Sequence, residues 1–97
     1  MNSAEEIEVV EDVGHKQFEG RIGGTLVGFI TYRLVDGTRV LLHTEVLPEA
    51  EGKGVGSHLV RGAFELVRGR GEKVRIVCPF ISDYLERHPE EGDVVAN

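Results

Sequence analysis

The sequence predicts one α/β domain of the α+β type, with an antiparallel three-stranded meander, then a helix, a parallel strand and a C-terminal helix. Two turns and one junction support this prediction. Gly23-Gly24 and Asp36-Gly37 separate three strand-like runs, and both dipeptides suit tight hairpin turns because their residues adopt positive φ readily. A glycine-rich junction at 52–57 then joins the third apolar run to an amphipathic segment. A chain of 97 residues accommodates one such domain with one modest core.

The meander strands are predicted at 16–22, 25–34 and 40–46, where apolar and β-branched residues are dense. The preceding residues, 1–12, are acidic and carry few large apolar side chains. We therefore expect them to be a flexible N-terminus. The ordered domain is expected to span 13–97.

A strand–helix–strand unit is predicted around the junction. Apolar residues recur after it at intervals near 3.6 and form one buried stripe, at Val55, Leu59, Ala63, Phe64 and Val67. Glycines at 69 and 71 end this helix, and 73–77 is predicted as a short strand. Such a unit normally connects parallel strands by a right-handed crossover. Pro79 suits the first turn of the last helix, which is expected to end near His88.

Composition and charge argue against several classes of partner. The net charge of −6 is unlike that of a general nucleic-acid binder, so we expect no nucleic acid. No apolar run is long enough to span a membrane and the N-terminal residues do not resemble a leader, so we expect a cytoplasmic protein without a membrane partner. One cysteine cannot form an internal disulfide, and the four histidines show no metal-ligand spacing with Cys78, so no metal is predicted.

The junction 52–57 has the properties of an anion site. Glycine lets the backbone approach a ligand, and the first turn of a helix presents unpaired N–H groups at the positive end of the helix dipole. A Walker A loop does not fit because Gly54 follows Lys53, and a dinucleotide fingerprint fails because its last glycine falls on Ser57 or Leu59. A glycine-rich helix entry without a ligand is the alternative.

Cys78 is the second candidate feature. It is expected to cap the last helix, where the field of the helix N-terminus favours the thiolate. The predicted parallel pairing brings Cys78 and the glycine-rich junction to one cleft. A small buried side chain that only fills the core is the alternative.

These features together resemble a compact subfamily of the GNAT acetyltransferases. The loop is similar to the acetyl-CoA loop pattern [QR]-x-x-G-x-[GA], with Gly54 and Gly56 at the glycine positions and Glu51 departing at the first. The match extends over about 29–90 and includes Tyr32, His43-Thr44-Glu45-Val46, Leu59-Val60, Cys78-Pro79-Phe80, Tyr84 and His88-Pro89-Glu90. Glu91 stands where the subfamily usually has an aromatic residue. The resemblance implies a minimal GNAT-like fold without the first helices and closing strands of larger members.

The resemblance also implies acetyl-CoA as the cofactor and a role for each matching residue. The backbone at Val46 would pair with the pantetheine arm. The diphosphate would be held by the amides of Gly52, Lys53, Gly54, Val55, Gly56 and Ser57. Cys78 matches a proposed nucleophile, and His43 would accept its proton if both face one cleft, or else be a structural histidine. Tyr84 would contact the leaving CoA sulfur, or else be a core tyrosine.

The implied activity is acetyl transfer to an amine of a small molecule or a protein. The transfer is either direct or proceeds through an acetyl-cysteine at Cys78. A non-catalytic acyl-CoA-binding or regulatory module is the alternative, since elements that shape an acceptor pocket are missing, and an interaction domain without a ligand is a third. The exposed edge of so small a sheet is compatible with a monomer or a weak homodimer.

Overall fold

The structure is a computed structural model and describes residues 6–96. Five strands form one mixed sheet in chain order, and two helices pack on one of its faces. The strands are β1 (Glu8–Asp12), β2 (Gln17–Ile22), β3 (Thr25–Val35), β4 (Thr38–Val46) and β5 (Val74–Ile76). The helices are α1 (Val55–Gly69) and α2 (Pro79–Arg87), with short 3-10 turns at Pro48–Ala50 and Pro89–Val94. The predicted α+β class is confirmed.

The meander has four antiparallel strands, where the sequence predicted three. Of the predicted flexible N-terminus, 1–5 lie outside the described residues, but Glu8–Asp12 form β1 and pair along their full length with β2. The expectation of flexibility is therefore corrected for these five residues. The physical reason is tertiary: Val9 packs against the core, and the carboxylate of Glu11 accepts hydrogen bonds from Tyr32 and Arg39.

The two predicted hairpin turns are confirmed. At Gly23-Gly24 and at Asp36-Gly37 both central residues have positive φ, which is the geometry of a type I′ turn. The first turn sets the register of β2 with β3, and one extra residue in β3, Val27, then shifts that register so that Gly20 lies opposite Gly28. Cβ atoms built at these two glycines would each lie 3.5 Å from a methyl group of Leu59. The glycine pair thus makes room for this fully buried leucine of α1 against the sheet.

The parallel pairing of β4 with β5 is also confirmed, but it is short. It joins Arg39–Leu41 to Val74–Ile76, and the N–H groups of Val77 and Cys78 then both donate to the carbonyl of Leu41. The chain next turns into α2. Beyond Leu41, the edge of β4 that faces β5 has no strand partner within residues 6–96. This open edge leads from the end of β5 towards the glycine-rich junction.

The C-terminal residues close the other side of the domain. Val95 forms a parallel bridge with Val74, and the N–H of Ala96 donates to the Val74 carbonyl at 2.8 Å. Arg68 of α1 forms ion pairs with Glu91 and Asp93. These contacts fix the end of the chain beside β5 and α1. No helix within the described residues is long and apolar enough to span a membrane.

Candidate active site

The glycine-rich junction between β4 and α1 is a run of free backbone donors. Gly52 and Gly54 have φ values of 83° and 72°, which explains the glycine at both positions, and Gly54 is the N-cap of α1. The first N–H of this region with an acceptor is that of His58, which donates to the Gly54 carbonyl at 3.2 Å. Within residues 6–96, the N–H groups of 52–57 have no hydrogen-bond acceptor. Free donors at a helix N-terminus form an anion site.

A cleft of about 310 Å³ lies over this junction. The loop glycines, Val46 and Ser57 line one side of it, and Phe80 and Arg87 of α2 line the other. Lys53 does not line the cleft; it borders a neighbouring groove of about 510 Å³ with Leu47 and Ala50. The side chain of Lys53 thus lies apart from the backbone donors that flank it.

Arg87 has no role in the sequence interpretation, yet it faces the loop. Phe80 and Arg87 are seven residues apart, which is about two helical turns, so they lie on one face of α2. The ring of Phe80 lies against Gly56, which places this face over the first turn of α1. The helix that begins beside Cys78 therefore places a cationic side chain in the same cleft as the free N–H groups of the loop.

The open edge of β4 begins where the loop ends. The N–H of Leu47 donates to the carbonyl of Val27 at 2.9 Å, so the polar groups of Leu47 point towards β3. Because successive residues of an extended chain direct their N–H and C=O groups to opposite edges, those of Val46 point to the open edge. Val46 thus has backbone groups available to an extended ligand, at the position where the resemblance implies pairing with pantetheine.

Cys78 lies at the junction of β5 and α2, as its predicted capping position requires. It is the N-cap residue of α2, but its side chain makes no capping hydrogen bond. The thiol is 2% exposed and belongs to the hydrophobic core. Its sulfur lies 3.4 Å from the hydroxyl oxygen of Thr44, a residue on the open segment of β4. Cys78 is therefore both a core residue and a neighbour of the open edge.

His43 is not near this thiol, because a bulge changes the phase of β4. Thr31 is opposite His43 and Tyr32 is opposite Leu41, so Leu42 is an extra residue in β4. One extra residue moves every later side chain to the other face. Thr44 therefore shares the helix-covered face with Cys78, and His43 lies on the opposite face. The expected pairing of His43 with the Cys78 thiol is corrected: the partner of the 62% exposed His43 is Glu45, at 3.4 Å.

Tyr84 is a core residue whose hydroxyl is already bonded. It is fully buried, packs edge-on against Phe64 and donates a hydrogen bond of 2.8 Å to Glu91. Burial raises the pKa of the Tyr84 hydroxyl, and the bond to Glu91 raises it further. The expected contact with a leaving CoA sulfur is therefore corrected in favour of the core alternative. Glu91 is the departure from the subfamily pattern, and here it supplies the tyrosine's acceptor.

Comparison with known proteins agrees with this architecture. The sequence profile of the family described as GCN5-related N-acetyl-transferase matches residues 17–94. The chain belongs to this family. GCN5-related N-acetyltransferases generally use acetyl-CoA, and the β4–α1 junction lies within the matched residues.

Individual relatives share most of the chain. Protein NATD1 from Gallus gallus is 30% identical over 89 residues, which cover 86% of this chain and 77% of that protein. Protein NATD1 from Homo sapiens is also 30% identical over 89 residues, covering 86% of this chain and 75% of the relative. The solution structure of a GCN5-like protein from Staphylococcus aureus superposes with a TM-score of 0.66 at 29% identity, covering 100% of this chain and 92% of that one.

A larger enzyme shares the fold. A ribosomal-protein-alanine N-acetyltransferase from Brucella melitensis superposes with a TM-score of 0.50 at 21% identity. The match covers 84% of this chain and 61% of that enzyme. The small GNAT-like chain thus corresponds to part of a longer acetyltransferase fold.

Proposed function

We propose that this protein is an acetyl-CoA-dependent N-acetyltransferase that moves an acetyl group to an amine acceptor. The observation that carries the proposal is the continuity of three features: free N–H donors at 52–57, the open edge of β4 and the thiol of Cys78. They lie in the order in which a diphosphate, an amide-containing arm and a thioester follow one another in acetyl-CoA. Membership in the GCN5-related family supports the same assignment.

The free backbone groups of the loop and of β4 suit two parts of this cofactor, the diphosphate and the amide-containing arm. The N–H groups of the loop suit the diphosphate, because free donors and the dipole of α1 both favour negative charge. An extended arm with amide groups pairs with an open strand edge as an added strand does. From Val46 to Thr44 this edge advances about 7 Å, at roughly 3.3 Å per residue. Thr44, at the end of this segment, is the residue whose hydroxyl contacts Cys78.

Direct transfer is one route to the product. The neutral amine attacks the acetyl carbonyl carbon, the new C–N bond forms, the bond from carbon to the CoA sulfur breaks, and the surplus ammonium proton neutralises the CoA thiolate. In this route the protein aligns the thioester and excludes water from one side of it. Cys78 then only lines the path.

A covalent route uses the thiol as a relay. The Cys78 thiolate attacks the acetyl carbonyl carbon, a C–S bond to Cys78 forms, and CoA leaves with the proton that the thiol released. The amine then attacks acetyl-Cys78, the C–N bond forms, the C–S bond breaks, and the amine proton returns to the thiolate. The contact with the Thr44 hydroxyl supports this route, because a hydroxyl can donate a hydrogen bond to a thiolate.

A non-catalytic acyl-CoA-binding module is the second candidate. The burial of Cys78 weighs against the covalent route, since a residue that is 2% exposed packs as part of the core, and a module that only binds acetyl-CoA does not need a reactive thiol. Both candidates require that acetyl-CoA binds, and only the enzyme requires turnover.

Ligand-induced stabilisation followed by turnover tests the proposal. At about ten times Kd, acetyl-CoA is expected to stabilise the fold by about 1.4 kcal/mol, which raises Tm by about 6–11 °C for a domain of this size. NADH and ATP serve as controls, and we expect much smaller shifts from them. Equal shifts from all three ligands, or none from acetyl-CoA, contradict the cofactor assignment. A shift without acetylation of any amine in a panel favours the non-catalytic module.

A further inference from the structure

We infer that Arg87 binds a phosphate group of the cofactor and thereby makes the site selective for CoA over phosphate-free pantetheine. This inference rests on the proposed function and deepens it. It assigns a side chain to an anion site that otherwise consists of backbone donors.

The first argument is the position of the Arg87 side chain. Arg87 is the last residue of α2 and lines the cleft together with Gly52, Gly54 and Ser57. Side chains of a helix tilt towards its N-terminus, so Arg87 is directed back along the face that carries Phe80. Since Phe80 contacts the first turn of α1, this tilt brings the guanidinium towards the loop.

The second argument is charge. Arg39, Arg68 and Arg70 are held in ion pairs, but no carboxylate within residues 6–96 forms an ion pair with Arg87. Asp83 precedes Arg87 by four residues in α2, at a spacing that often forms ion pairs, and is not paired with it within residues 6–96. An exposed arginine at the mouth of a cleft, with no acidic partner among these residues, is available for an anionic ligand.

The third argument is the composition of the cleft. Glu51 also lines it, and a carboxylate there opposes the binding of a phosphate. Arg87 is the one Lys or Arg side chain among the lining residues that the structure describes. Its planar guanidinium can donate two parallel hydrogen bonds to phosphate oxygens, which a backbone donor cannot. Arg87 thus offsets the charge of Glu51 and adds a directional contact.

The test measures the affinities of Arg87→Gln, Arg87→Lys and the parent for CoA, dephospho-CoA and pantetheine. Arg33→Gln is the matched control, because Arg33 is an exposed arginine of β3 outside the cleft. We expect Arg87→Gln to weaken CoA binding about tenfold or more, the effect of losing a charge-assisted hydrogen bond, while its affinity for pantetheine stays within about twofold. The affinity of Arg87→Lys for CoA is expected to lie between those of Arg87→Gln and the parent. Arg33→Gln is expected to bind CoA as tightly as the parent does.

Dephospho-CoA identifies the phosphate. If Arg87→Gln loses affinity for CoA but not for dephospho-CoA, Arg87 binds the 3′-phosphate. If it loses affinity equally for both, Arg87 binds the diphosphate. Either result supports the inference. The inference is overturned if a folded Arg87→Gln variant binds CoA as tightly as the parent, or if its affinity for pantetheine falls as much as its affinity for CoA. A parent protein that binds no CoA overturns the proposed function as well, so the two failures are distinguishable.

Discussion

The ring of Phe80 occupies the space where a side chain at Gly56 would begin. A Cβ atom built at Gly56 lies 2.6 Å from Cζ of Phe80, closer than any stable contact. The glycine at 56 is therefore required by the contact between α1 and α2, in addition to any ligand that approaches it. The sequence interpretation explained this glycine by a ligand or by a glycine-rich helix entry, and not by the packing of Phe80.

Gly56→Ala is expected to destabilise the fold by about 1–2 kcal/mol, because the ring of Phe80 must move to admit the methyl group. In a Phe80→Ala background the same substitution meets no ring, and we expect its cost to fall to about 0.5 kcal/mol or less. Denaturant unfolding of the four proteins in this double-mutant cycle measures the coupling.

Gly69→Ala is the matched control for this cycle. Gly69 lies in the same helix, and nothing lies within 4 Å of a Cβ built there. Adding a methyl group at this position is expected to be neutral or to stabilise α1 by up to about 1 kcal/mol. Additive losses at Gly56 and Phe80 would show that the ring is not what requires the glycine.

Cys78 and His43 are predicted to behave differently towards acetyl-CoA. On the covalent route, Cys78→Ala loses the acetyl adduct detected by intact-protein mass measurement and loses amine acetylation by about a hundredfold or more. His43→Ala is expected to keep both within about twofold, because His43 lies on the opposite face of the sheet from the thiol.

Unfolding measurements separate chemistry from packing in the same variants. Cys78→Ala leaves a small cavity in the core, with an expected cost of about 1 kcal/mol. His43→Ala removes an exposed side chain and is expected to cost less than about 0.5 kcal/mol. An adduct that persists in Cys78→Ala rules out the thiol as the relay, and an adduct lost in His43→Ala contradicts the assignment of faces.

Local patterns predicted most of the fold. The glycine dipeptides at 23–24 and 36–37 determine the hairpins by their positive φ, and the helix after the loop follows from its apolar spacing. Strand β1 was not predicted, because its acidic residues obscure the alternation of inward-facing and outward-facing side chains. Val9 and Glu11 face the helices, and the carboxylate of Glu11 is stabilised by arginines that are distant in sequence.

The candidate site was less predictable, since it depends on one extra residue. The loop glycines and Cys78 are recognisable by spacing, and they lie at the predicted junctions. The neighbour of the thiol is not recognisable from the sequence. Because Leu42 is an extra residue in β4, the side chain of Thr44, and not that of His43, lies on the helix-covered face beside Cys78. No residue type near Leu42 predicts this bulge. Arg87 is identified only once the packing of Phe80 on Gly56 is known.

Tyr84→Phe is predicted to affect stability and to leave cofactor binding unchanged. The substitution removes the hydrogen bond to Glu91 and leaves a partly buried carboxylate with one partner fewer, so we expect a loss of about 1–2 kcal/mol. The affinity for acetyl-CoA should match the parent's within about twofold. In Glu91→Gln the cost of Tyr84→Phe should shrink. A selective loss of turnover without a change in stability would instead assign the hydroxyl to the reaction.

The last prediction concerns the acid stability conferred by Glu11. Its side chain is 4% exposed and accepts hydrogen bonds from Arg39 and Arg70, each at 2.7 Å, and from Tyr32. Burial by itself would raise the pKa of this carboxyl, but the three hydrogen bonds together lower it below its ordinary value. A carboxyl with a lowered pKa stabilises the fold above its unfolded-state pKa, and this contribution disappears as the pH falls through the folded-state pKa.

Glu11→Gln is therefore expected to lose about 2 kcal/mol at pH 7, or about 8–16 °C in Tm, because the charge-assisted bonds become neutral. Below about pH 4 the parent loses the same contribution, so the difference between the two proteins should narrow on acidification. Glu86→Gln, an exposed substitution on α2, is the control and should change stability by less than about 0.5 kcal/mol. Thermal unfolding between pH 3 and 8 measures the difference. A constant gap across this range would mean that Glu11 acts through packing, with its charge making no net contribution.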